Sequence, residues 1–162
     1  MDEVAMTGRL WPCGHFPLTA FVVACLLAAP TAARVASRAV QTGDGLPRLQ
    51  LMSTRDLHDA HVQGSGCSFA LTGDRGSRFT MTGGRAAAKI GGWVVAFRKG
   101  SGAGEMLPST FNRWTAKGLS VTVREHGPSR MLGDEGMTTL AVLLLERGRA
   151  KRSIVGELSC GS

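Results

Sequence analysis

Asp56, His58, Asp59 and His61 crowd into the stretch "RDLHDAH", the densest group of metal-ligating or proton-transferring side chains in the sequence. Ser53 or Thr54 can cap a short helix here, with Asp56 well placed for the helix dipole. His58 and His61, three residues apart, would then share a face and could share a metal. Zinc needs a third protein ligand and an outer shell that fixes the donors. Asp56 and Asp59 are local candidates, but few apolar residues are at hand to hold the stretch still. A polar lead-in to Cys67 is the plainer reading, and we expect no metal, with His58, His61 and Asp56 as the residues to check.

Other chemistry has less to stand on. Ser65, in "GSGC", lacks the G-x-S-x-G elbow of a nucleophile. Glu105, Glu125, Asp134, Glu135 and Glu146 could supply a carboxylate pair only if the fold brings two of them together. "KGSGAG" (Lys99 to Gly104) has glycines and a lysine, but no helix signal follows, so it reads as a flexible loop rather than a phosphate cradle. His126 sits in "REHGP", a loop. We expect no catalytic residue, no cofactor and no enzyme activity.

Whatever these residues do, a leader and two cysteines set their context. "PLTAFVVACLLAAPTAA" (Pro17 to Ala33) is an apolar run ending in small residues, with Arg9 and His15 ahead of it, as in a secretory signal peptide. Asp2 and Glu3 fit an n-region poorly, which makes Met6 an alternative start. Retention as a membrane anchor is the competing reading, since about 17 apolar residues is at the lower limit for a span. "VVAC" (Val22 to Cys25) also loosely fits a lipidation site. With residues 1–33 removed, 18 of the 19 basic residues face 10 of the 12 acidic ones, a net charge of +8. Such a protein is drawn to anionic envelope polymers and headgroups. No basic run interleaved with aromatics suggests nucleic acid. Cys13 and Cys25 leave with the leader, and Cys67 and Cys160 are expected to pair in an oxidising compartment.

Residues 34–63 read as a linker and edge segment, and 64–162 as a β-domain. Period-two alternation places Cys67, Phe69 and Leu71 on one face, and Leu119, Val121 and Val123 on another. Gly91-Gly92 supplies the turn of a hairpin whose second strand turns Trp93, Val95 and Phe97 one way. A second hairpin turns at Arg147-Gly148. In "TLAVLLLE" both alternating sets are apolar, which predicts a central strand buried on both faces. Ile154, Leu158 and Cys160 share a face of the last strand. A cysteine on the first strand and another on the last predict a sheet closed on itself. The expected fold is all-β, an antiparallel barrel or sandwich of six to eight strands closed by one disulfide. The best short helix is 53–62.

"GCSF" (Gly66 to Phe69), a single-hairpin middle, and "CGS" after a "GELS" strand resemble small exported bacterial proteins, which implies an envelope β-domain without an assigned activity. "SGAG" (Ser101 to Gly104) followed by "FNRWTAKG" (Phe111 to Gly118) is similar to periplasmic inhibitors of C-type lysozyme, small disulfide-closed barrels that insert a loop into the enzyme's cleft. Gly104 and Glu105 stand where that family has Arg and Tyr, so only Ser101 carries over. We expect a periplasmic or secreted, non-catalytic binding or accessory module whose partner is an envelope protein or anionic envelope polymer. Membrane contact is expected only through an uncleaved leader. The alternatives are a hydrolase inhibitor using the 100–110 loop and a metal-dependent enzyme using His58 and His61.

Overall fold

Alternation of side chains along the chain is realised as a ring of strands. The structure, a computed structural model, describes residues 45–107 and 109–161. The leader expected over 1–33, with Cys13 and Cys25, and the linker's first part lie outside the described residues. Twelve strands and one helix follow in order: β1 (Leu49–Gln50), α1 (Thr54–Asp59), β2 (Gly66–Ala70), β3 (Phe79–Thr82), β4 (Arg85–Ile90), β5 (Trp93–Lys99), β6 (Glu105–Leu107), β7 (Thr110–Phe111), β8 (Arg113–Ala116), β9 (Leu119–Glu125), β10 (Arg130–Leu132), β11 (Gly136–Arg147) and β12 (Ala150–Gly161). Antiparallel pairing runs β2, β3, β4, β5, β8, β9, β11, β12 and back to β2. The fold is an eight-stranded closed barrel in which chain order is ring order, and closure leaves the sheet without the two open edges of a sandwich.

One side of each strand points into a dry interior. Phe69, Phe79, Met81, Ala88, Trp114, Val121, Leu143 and Leu158 are among the side chains that fill it. The buried Trp114 donates its indole N–H to the carbonyl of Phe111 at 2.6 Å, so the ring's one polar atom is satisfied. Cys67 and Cys160 stand opposite each other in the β2–β12 ladder and are joined as expected, across 93 residues.

The sequence reading of β11 needs correcting. Ala141, Leu143 and Leu145 face inward and are fully buried, but Leu140, Val142 and Leu144 face outward, with Leu140 49% exposed. A closed barrel has one dry side, so an apolar residue on the other parity stays at the surface.

Both mouths are stoppered. Met106, Leu107 and Phe111 of the β6–β7 hairpin pack against the core at the rim where β5 ends. At the opposite rim Leu46 and Leu49 are buried in the main core. The Arg152 guanidinium donates to the carbonyls of Leu46 and Pro47, both at 3.3 Å, and Arg78 donates to that of Leu49 at 2.7 Å. Within this part of the segment read as linker and edge, Leu46 and Leu49 belong to the barrel's core and β1 pairs with β4. No helix among the described residues is long and apolar enough to cross a membrane.

Candidate functional site

Of the histidine cluster, Asp56 is committed to structure, and His58, Asp59 and His61 are exposed. Ser53 caps α1, and Asp56 closes a capping box by accepting from the Ser53 backbone N–H at 2.8 Å. The Asp56 carboxylate also takes the Lys89 ammonium from β4 at 2.9 Å. These donors, the Ser53 N–H foremost, hold its pKa down to about 2. Beneath it Leu57, Ala60 and Val62 pack with Met52 on Ala87 and Val94, which fastens the helix to the outer wall. This corrects the expectation of a loose lead-in. The rings of His58 and His61 lie 6.5 Å apart, and His58 Nδ1 is 3.5 Å from the Asp59 carboxylate. No group of three possible ligands forms around them among the described residues.

The 100–110 loop is also largely committed. Glu105 accepts from the Ser109 N–H at 2.8 Å, Asn112 accepts from the Gly104 N–H at 2.9 Å, and the Gly84 N–H reaches the Ser109 carbonyl at 2.8 Å. The Lys99 ammonium lies 3.9 Å from the centroid of the Phe111 ring. Ser101 and Gly102 at its turn are exposed, as are Gly104, Glu105 and Ser109. Of the carboxylates weighed from sequence, Glu146 pairs with Lys151 at 2.7 Å, which lowers its pKa.

A different feature emerges between β5 and β8. Strand β5 has seven residues and β8 four, because the chain turns at Lys117-Gly118. Their ladder is only Arg98↔Thr115 and Lys99↔Trp114, so beyond Arg98 the wall splays. The opening is a cleft of about 370 Å³ between Ala96–Arg98 and Thr115–Gly118. Its floor is apolar, since Phe97 is buried and Val95 and Ala116 pack against the core.

Arg98 and Lys117 line the cleft, and Arg85 stands across β5 from it. Arg85 on β4 and Arg98 on β5 are directly opposite, both outward and exposed. Directly opposite side chains have Cβ atoms about 5 Å apart, and like charges so placed repel. Arg85, Arg98 and Lys117 have no ion-pair partner among the described residues. Lys117 is also held at φ +46°, in the left-handed region. Gly or Asn would take this first position of a tight turn more cheaply than lysine, which there costs about 1–2 kcal/mol. The strained Lys117 thus lines the same cleft as Arg98, whose β4 neighbour is another arginine.

Sequence reasoning missed this site. The available signal was the shortness of "RWTA" between turn residues, against the longer alternation of "WVVAFRK". No protein-family model, curated protein or solved structure matches this chain.

Proposed function

We propose that this chain is an exported, non-catalytic binding module of the cell envelope whose ligand is anionic and is held by Arg85, Arg98 and Lys117. The Arg85↔Arg98 juxtaposition carries the reading. An anion bridging both side chains turns a repulsion into two charge-assisted contacts. Export is supported by the leader-like stretch Pro17 to Ala33 and by the Cys67–Cys160 bridge, which persists in an oxidising compartment.

The test uses heparin and poly-L-glutamate as probes, with a matched charge control. Because the whole protein is basic, both probes have a general attraction to it. Arg85→Gln with Arg98→Gln is therefore compared with Arg75→Gln and Arg149→Gln, exposed arginines on turns outside the seam. Two exposed ionic contacts at about 0.5–1 kcal/mol each predict a five- to thirtyfold loss for the first pair. Equal losses for both pairs would mean that only net charge matters, and the site would be abandoned.

A further inference from the structure

We infer that the seam receives an extended acidic polypeptide segment, which adds a strand to the free edge of β5. This rests on the reading that the Arg85, Arg98 and Lys117 rim binds an anion, and it names the ligand's class. The β4–β5 ladder is complete from Arg85↔Arg98 to Ile90↔Trp93. Successive residues of an antiparallel strand turn their N–H and C=O groups to opposite neighbours. The two-residue turn at Gly91-Gly92 makes Ile90 and Trp93 a hydrogen-bonded pair. Trp93, Val95 and Phe97 are therefore spent on β4, while Val94 and Ala96 present theirs to the seam. Arg98 is next in that series, and it is where the β8 ladder begins. The open edge from Trp93 to Phe97 is roughly 13 Å long, enough for a peptide of four or five residues.

Backbone donors and acceptors in alternation, an apolar floor and a cationic rim together specify a polypeptide. A polysaccharide or polyphosphate would satisfy the cations but would leave the Val94 and Ala96 backbone groups without matched partners. A second copy is disfavoured, because edge-to-edge pairing would set Arg98 and Lys117 against the same cations, the usual protection of an edge strand. The chain's own segment ahead of Gly45 has Arg34 and Arg38 against Asp44, which is the wrong sign. A strand laid on β5 would alternate acidic side chains toward Arg98 and apolar ones toward Val95 and Phe97. Trp93, 69% exposed, stands at the end of that track as a surface for a further apolar residue.

The experiment titrates the full chain with an alternating Glu-Val hexapeptide. A second hexapeptide of the same sequence is N-methylated at alternate residues, which removes the pairing N–H groups and keeps charge and apolar surface. The expected result is binding at least tenfold tighter for the unmethylated peptide, lost with Arg98→Glu and Lys117→Glu. Equal binding of the two peptides would overturn strand addition and leave the anion site standing. Strand addition is likewise overturned if heparin binds and neither peptide does, or if the protein pairs with itself through this edge. Failure of every anionic probe would remove both readings together.

Discussion

Replacing Leu46 with alanine tests whether the segment before the first barrel strand belongs to the fold. Its side chain is fully buried at the mouth opposite the β6–β7 hairpin, with its carbonyl held by Arg152. The change removes three carbons, worth about 0.8 kcal/mol each in transfer. Leu49 and the Arg152 side chain fix the surroundings, so the space cannot fully collapse and a cavity cost adds to the loss. The expected total is about 3 kcal/mol, within the usual range for a buried leucine. At a urea dependence of about 1.5 kcal/mol per molar, the unfolding midpoint falls by about 2 M. Leu51→Ala is the control, because Leu51 lies in the same segment but is 44% exposed, and its expected loss is below about 0.5 kcal/mol. Equal shifts for the two variants, or a shift below about 0.3 M for Leu46→Ala, would refute the assignment of 45–50 to the core.

Three further outcomes follow from the barrel. Cys67→Ala with Cys160→Ala releases a 93-residue constraint on the unfolded chain, an expected loss of about 4–5 kcal/mol in urea unfolding, and a loss under about 1 kcal/mol would contradict it. Gly156→Ala should destabilise by about 1–3 kcal/mol, since a Cβ there comes within 2.2 Å of the Ala70 carbonyl oxygen and 2.7 Å of the Phe69 ring. A gain of the size usual for Gly→Ala within a strand would show that the β12–β2 contact gives way freely. Asp56, Asp74 and Glu146 all have pKa values held below the ordinary carboxylate range by their hydrogen-bonded partners. Their contribution is therefore present above the unfolded carboxylate values of about 4 and is lost as pH falls through the lowered folded values, which for Asp56 is about 2. Thermal unfolding followed across that window should show the decline, and Asp56→Asn should flatten part of it; an unchanged acid limb in that variant would exclude Asp56 as a source.

Much of the barrel was legible in the residues because period-two alternation is a local signal. Leu119, Val121 and Val123 announce the inner face of β9, and Gly91-Gly92 announces the turn between β4 and β5, with no help from distant residues. The disulfide was legible because Cys67 and Cys160 are the two cysteines beyond residue 33 and fall on apolar faces of strands near the two ends of the domain. The outward Leu140, Val142 and Leu144 misled, since their hydrophobicity matches that of Ala141, Leu143 and Leu145 and only closure decides which set is dry. The seam was hidden for a related reason. Its opening is a mismatch between β5 and β8, and neither strand alone shows which partner it lacks. Lys117 is not marked out in the sequence, because its backbone conformation is invisible there. Ser101 and the histidines drew attention by composition, yet α1 and the β6–β7 lid use the residues around them for fastening.

Because chain order is ring order, every seam of the barrel but one joins strands that follow each other along the sequence. The hairpins can form early from local contacts, whereas β12 meets β2 only after the intervening chain has been gathered in. The two thiols sit on that last seam. A slip of one residue in the β2–β12 ladder would leave one cysteine in the core and turn the other onto the outer wall. Correct register thus sets the two thiols face to face, and once joined they make that last seam hard to reopen.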